Sequence, residues 1–83
     1  KRLNNTKPVL YPNPATSNEI HIESKAKSIH NIAVYDIYGK CLFKKQGSSM
    51  HEIIRLNNLQ PGTYVLSIQY SDQSMNRQMI EVF

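Results

Sequence analysis

Eighty-three residues make one domain, close to the size at which a single hydrophobic core only just outweighs chain entropy, and leave no room for a second. Ten Lys and Arg against six Asp and Glu give a formal net charge of +4, which favours weak attraction to anionic surfaces and selects no partner by itself. No apolar run approaches the ~20 residues of a membrane-spanning helix, so membrane insertion is not expected, and the lone cysteine, Cys41, excludes an internal disulfide.

The chain opens at Lys1 without an initiator methionine and reads as a piece of a longer polypeptide. Residues 1–7 hold one large apolar side chain, Leu3, and are expected to be a linker to missing upstream sequence, with residues 8–83 as the domain. Val9, Leu10 and Tyr11 form a short extended segment. Pro12 and Pro14, flanking Asn13, forbid a continuous ladder there, so the segment belongs on a sheet edge. Residues 19–23 alternate cleanly, with Ile20 and Ile22 inward and His21 outward between two glutamates. Residues 29–35 are apolar on both parities, through Ile32 and Val34 and through Ala33 and Tyr35, as expected of a more central strand. Residues 36–40 turn the chain, with Gly39 available for positive φ. Cys41, Leu42 and Phe43 return it, up to a break at residues 46–49.

Residues 50–56 carry two signals. Ser49 and Glu52 fit a capping box, and Met50, Ile53 and Ile54 fit one helical face. A strand is nevertheless expected, because seven residues give a helix of barely two turns and Leu56 to Leu59 lead straight into a corner. At that corner Pro61 fixes φ, Gly62 relieves steric strain, and Tyr64 stands at the start of a long strand on the parity of Leu66, Ile68 and Tyr70. A sandwich crosses between sheets in this way, with the tyrosine hydroxyl tied to nearby backbone. A turn over residues 70–74 and a last strand over residues 75–83 close the chain. The fold expected is an all-β, immunoglobulin-like antiparallel β-sandwich of about seven strands.

Little in the sequence points to catalysis. His21, His30 and His51 show no metal-ligand spacing, and His21 reads as part of a solvated face. Cys41 lies in an ordinary strand, without a loop or helix terminus to activate it, and is expected to be a small buried hydrophobe; in an oxidising compartment it could instead join two chains. The three glycines sit at predicted turns, so no phosphate-binding loop exists. Tyr64 and Tyr70 are spent on the core rather than displayed for base stacking, which argues against nucleic-acid binding. No enzyme activity, cofactor or metal is expected.

Three stretches together carry a resemblance: Tyr11 to Pro14, Ile32 to Lys40, and Ile54 to Tyr64 leading into a final hairpin. In this order and spacing the chain resembles the C-terminal sorting domain of cargo proteins of the type IX secretion system in Bacteroidota, over nearly all of its length after the linker. The resemblance implies a non-catalytic address at the end of a secreted protein, folded in the periplasm and recognised by the outer-membrane translocon. A surface sortase then typically removes it and joins the cargo to anionic lipopolysaccharide, at the outer-membrane surface or beyond. Matched residue by residue, it singles out Pro12, Asn13, Pro14, Gly39, Gly62, Tyr64 and the terminal Met79, Ile80, Glu81, Val82 and Phe83. The family's last strand commonly carries lysines near its end; here Arg77 is the only basic residue of that stretch. The other reading is an immunoglobulin-like adhesion or carbohydrate-binding module. An exposed edge strand or Cys41 would also allow a homodimer.

Overall fold

The computed structural model describes residues 7–12, 18–57 and 59–83. Seven strands follow one another without a helix among the described residues: β1 (Val9–Tyr11), β2 (Glu19–Glu23), β3 (Ile29–Tyr35), β4 (Cys41–Gln46), β5 (His51–Arg55), β6 (Gly62–Tyr70) and β7 (Met75–Val82). They form two sheets, β1-β2-β5 and β4-β3-β6-β7, in which neighbouring strands run antiparallel. The all-β sandwich expected from the alternation of residues 19–23 and 64–70 is the fold observed.

Both sheets turn an aliphatic face inward. Ile20 and Ile22 from β2, Ile54 from β5 and Leu56 meet Ile29, Ile32 and Val34 from β3, Leu66, Ile68 and Tyr70 from β6, and Ile80 and Val82 from β7. Nine of these side chains are essentially sealed from solvent, which places the main hydrophobic stabilisation along the middle of the sandwich. Leu10, Phe43, Leu59 and Tyr64 close the rim. Ile29 and Ile32 are three residues apart, yet both point inward, which strict alternation forbids. A register shift between Ile29 and Asn31 in the pairing with β6 resolves the conflict. Ala33 and Tyr35 lie half-buried on the outer face, so the apolar residues on both parities of β3 do reflect a strand with neighbours on each side.

Residues 51–55 are extended because Ile54 pairs with Ile20 at the bottom of the core, a burial that a two-turn helix could not reproduce. The capping-box chemistry survives outside any helix. The Glu52 carboxylate accepts from the backbone N–H groups of Ser48 and Ser49 at 2.9 and 3.1 Å, and the Ser49 hydroxyl accepts from the His51 N–H at 3.0 Å. The same side-chain acceptors that would have started a helix instead tighten the turn into β5.

Cys41 departs from expectation. It is exposed rather than buried, at the first position of edge strand β4, where its thiol donates to the Phe43 carbonyl at 3.7 Å. Val34 pairs with Phe43 and Tyr35 with Cys41, a register shift that turns Cys41 away from the core and leaves Phe43 to fill it.

Candidate functional site

The last strand is the part of the fold best placed to meet a partner. β7 pairs with β6 over eight residues, from Gly62↔Val82 to Gln69↔Met75, and stands at the rim of its sheet, with no strand on its other side among the described residues. An edge strand presents a row of backbone donors and acceptors to which a further strand can be added. Its side chains divide by parity. Ile80 and Val82 enter the core, whereas Met75, Met79 and Phe83 are 54, 65 and 73 % exposed, interleaved with Arg77 and Glu81. The strand itself ends at Val82, one residue short of the range expected from sequence, and Phe83 follows it.

The apolar character of this rim continues inward across the outer face. Met79 lies opposite Val65, Val65 opposite Tyr35, and Tyr35 opposite Cys41, a row crossing all four strands. Glu81 is held in place by the Thr63 hydroxyl, which donates to its carboxylate at 2.8 Å. On the inner face, Gln78 reaches across the sandwich and donates to the Pro8 carbonyl at 3.3 Å.

The other matched residues serve the scaffold that presents β7. Tyr64 donates its hydroxyl to the Gln60 carbonyl at 2.6 Å, the corner tie expected from the sequence. Gly62 has φ 154° and Gly39 φ 93°, both in territory that side-chain-bearing residues rarely adopt. Gly39 sits in the β3–β4 turn, where the Asp36 carboxylate accepts from the N–H groups of Tyr38 and Lys40, both at 2.9 Å. Pro12 follows β1 through a cis peptide bond from Tyr11. Asn13 and Pro14, like residues 1–6, lie outside the described residues. The matched positions therefore do not converge on one pocket: Gly62, Tyr64 and the terminal strand are neighbours, while Gly39 and Pro12 stand at separate turns.

The opposite side of the sandwich is guarded. β4 and β5 are the free rims there, and the Lys45 ammonium reaches from β4 to the Ile53 carbonyl of β5 at 2.6 Å, with the Glu52 carboxylate 3.8 Å away. A charged side chain laid over an edge carbonyl removes one acceptor from any incoming strand. Beside it a cleft is lined by Leu42, Phe43, Arg55, Leu56, Asn57 and Leu59.

The β6–β7 turn is fastened by charge. Asp72 accepts from the hydroxyl and N–H of Ser74 at 2.6 and 3.0 Å and from the Lys27 ammonium at 3.0 Å. The Ser74 contacts, aided by Lys27, hold the Asp72 carboxyl well below the usual carboxylate range. Lys27 also lies 5.1 Å from the centre of the Tyr70 ring, a cation–π contact. The Tyr70 hydroxyl is buried without a hydrogen-bond partner among the described residues, and burial raises its pKa.

Sequence reasoning did not foresee a polar chain on the outer face of the small sheet, from Arg55 through Glu19, His21 and His51 to Tyr11. Its members come from three strands, so no local spacing announces it. Among the described residues no group of three or more His, Cys, Asp and Glu is arranged to hold a metal ion.

The family model described as a secretion system C-terminal sorting domain matches residues 9–82. No curated protein matches the chain. Among solved structures, the crystal structure of CopC from Methylosinus trichosporium OB3b is similar, with a TM-score of 0.54 and 15% identity over 90% of each chain. At that identity the likeness concerns the fold alone, a β-sandwich in both.

Proposed function

Because this chain belongs to the family of type IX secretion C-terminal sorting domains, whose members act with that secretion machinery to export a protein toward the cell surface, we propose that its address is read on the rim of β7. The translocon component that recognises it adds a strand alongside Met75–Val82, taking main-chain hydrogen bonds for affinity and the exposed Met75, Met79 and Phe83 for specificity. The observation that carries this reading is that β7 is unpaired on one side among the described residues and that Met75 and Met79 on it, with Phe83 just after it, are exposed apolar side chains four residues apart.

Gly62 and Tyr64 hold the corner from which β6 presents β7, and Pro12 and Gly39 shape the neighbouring turns; Asn13 and Pro14 belong to the same matched motif. The domain passes through the periplasm folded. A surface sortase then cleaves within residues 1–7 or just upstream, where the sequence reads as a linker before the domain at 8–83, and attaches the cargo to anionic lipopolysaccharide. The domain is a substrate of these steps and contributes no catalytic group.

The test is a fluorescent reporter carrying a signal peptide at its front and residues 1–83 at its back, expressed in a cell with an active type IX system. Truncation of Met79–Phe83 removes Ile80 and Val82 from the core, so it reads folding and recognition together. The combined variant Met75→Ser, Met79→Ser, Phe83→Ser leaves the core intact. Export of the wild-type fusion with periplasmic retention of the folded triple variant supports the reading. Equal export of both places the address elsewhere. Retention of the wild-type fusion, while the same cells export other such cargo, rejects it in favour of an adhesion or carbohydrate-binding module.

A further inference from the structure

We propose that His21 and His51 form a binding site for one divalent transition-metal ion of borderline softness, zinc or copper, on the outer face of the β1-β2-β5 sheet. The two residues are 30 apart in sequence. The β2–β5 register sets His21 opposite Ile53 and His51 opposite Glu23, so the imidazoles are diagonal neighbours on one face. Their ring centres lie 5.4 Å apart and His21 Nδ1 is 3.2 Å from His51 Nε2, so the facing nitrogens lie between the rings. Two nitrogens bound to one tetrahedral zinc at about 2.0–2.1 Å stand about 3.3 Å from each other, so the observed spacing is already that of a shared ion.

The neighbours fix which nitrogen is free. Glu19 Oε1 lies 3.3 Å from His21 Nε2, while its Oε2 is held by Arg55 Nη1 at 2.6 Å. A carboxylate can only accept, so in the neutral imidazole of His21 the hydrogen belongs on Nε2 and the lone-pair nitrogen Nδ1 is the one that faces His51. A histidine whose far nitrogen donates to a carboxylate is the arrangement that orients a metal ligand and raises its basicity. With that tautomer of His21, the His51 Nε2–H is the donor between the rings. Binding moves that hydrogen to His51 Nδ1, frees Nε2 as the second ligand, and needs a pivot of two side chains that are not packed in the core.

The Tyr11 hydroxyl lies 3.5 Å from His51 Nε2, and its ring is 5.0 Å from that of His21 with only 14° between their planes. It supplies an oxygen at the same point, and Glu23 stands on the same face opposite His51. Imidazole with oxygen donors suits zinc and copper better than calcium or magnesium, which take all-oxygen shells. The remaining positions face solvent, so the site is open.

Isothermal titration of the 83-residue chain with zinc chloride in a non-chelating buffer at neutral pH tests this. One equivalent should bind. His21→Ala and His51→Ala should each weaken binding at least tenfold, Glu19→Gln by roughly 10- to 100-fold through loss of orientation, and His30→Ala should leave it unchanged. Imidazole nitrogen NMR of the wild-type chain should show His21 Nδ1 and His51 Nε2 shifting together, a readout that needs no variant to fold. Failure to saturate, or uptake indifferent to His21 and His51, overturns the proposal.

Discussion

The Gln78 side-chain amide donates to the Pro8 carbonyl at 3.3 Å, joining the last strand of one sheet to the residue that precedes the first strand of the other. Pro8 is buried at this junction, and Gln78 also donates to Asn76 Oδ1 at 3.1 Å, so an amide stands on an inward parity where its neighbours Ile80 and Val82 are aliphatic. Gln78→Ala should lower unfolding free energy by about 1–2 kcal/mol, the loss of a partly buried hydrogen bond together with an orphaned acceptor. Urea denaturation measures it, and amide exchange in β1 should quicken alongside. An unchanged midpoint would mean that solvent satisfies Pro8 equally well.

The two inward tyrosines of β6 should respond to loss of the hydroxyl with opposite signs. Tyr64→Phe removes the bond to the Gln60 carbonyl and should cost about 1 kcal/mol. Tyr70→Phe removes a buried hydroxyl with no partner among the described residues and keeps the ring under Lys27, so stability should hold or rise by up to about 1 kcal/mol. Paired thermal melts decide, and a drop at Tyr70 equal to that at Tyr64 contradicts the assignment.

Gly47 is constrained by space. A β-carbon there would stand 2.9 Å from Glu52 Oε2 and 3.0 Å from the Ile29 carbonyl oxygen. Since one contact is backbone and the carboxylate is engaged with Ser48 and Ser49, neither yields without breaking the turn into β5. Gly47→Ala should destabilise by roughly 1–3 kcal/mol, as overpacked sites do. A change below about 0.5 kcal/mol, the range of neutral surface substitutions, would show the turn to be plastic.

Asp72 predicts the direction of an acid response. Its folded-state pKa lies below the unfolded value, so its contribution is complete above the ordinary carboxylate pKa of about 3.9 and is lost as pH falls toward the folded value. Stability of the wild-type chain should therefore decline below about pH 4. Asp72→Asn should be less stable at neutral pH and show a shallower decline on acidification. Parallel acid limbs for the two proteins would assign the decline to other carboxylates.

Where a single strand decides its own pattern, the sequence was legible. Ile20 and Ile22 in β2, and Leu66, Ile68 and Tyr70 in β6, point inward as their alternation requires, and Tyr64 ties its corner as its distance from Pro61 and Gly62 suggests. What escaped depends on pairing between strands. Cys41 reads as core because a lone thiol in an ordinary strand is usually a small buried hydrophobe, but the shifted β3–β4 register assigns that place to Phe43. Gly47 read as an ordinary turn residue because the carbonyl it approaches belongs to Ile29, in another strand. The histidine pair depends on a β2–β5 register that no local periodicity encodes. Met79 to Phe83 are singled out from sequence without division by face; that Ile80 and Val82 enter the core while Met79 and Phe83 stay exposed, and that the strand stands at the rim, follow from pairing and sheet order.

The Lys45 bridge over β5 gives this module a valence. A sandwich with two receptive rims can pass a ladder from copy to copy and grow into a filament, as head-to-tail contacts do when nothing closes them. Here Lys45 lays its ammonium over the Ile53 carbonyl of β5 and β1 is only three residues long, while β7, with eight residues, is the longest of the rim strands. Of the two sides, β5 offers an incoming strand fewer free acceptors, so the geometry favours addition at one rim over addition at both.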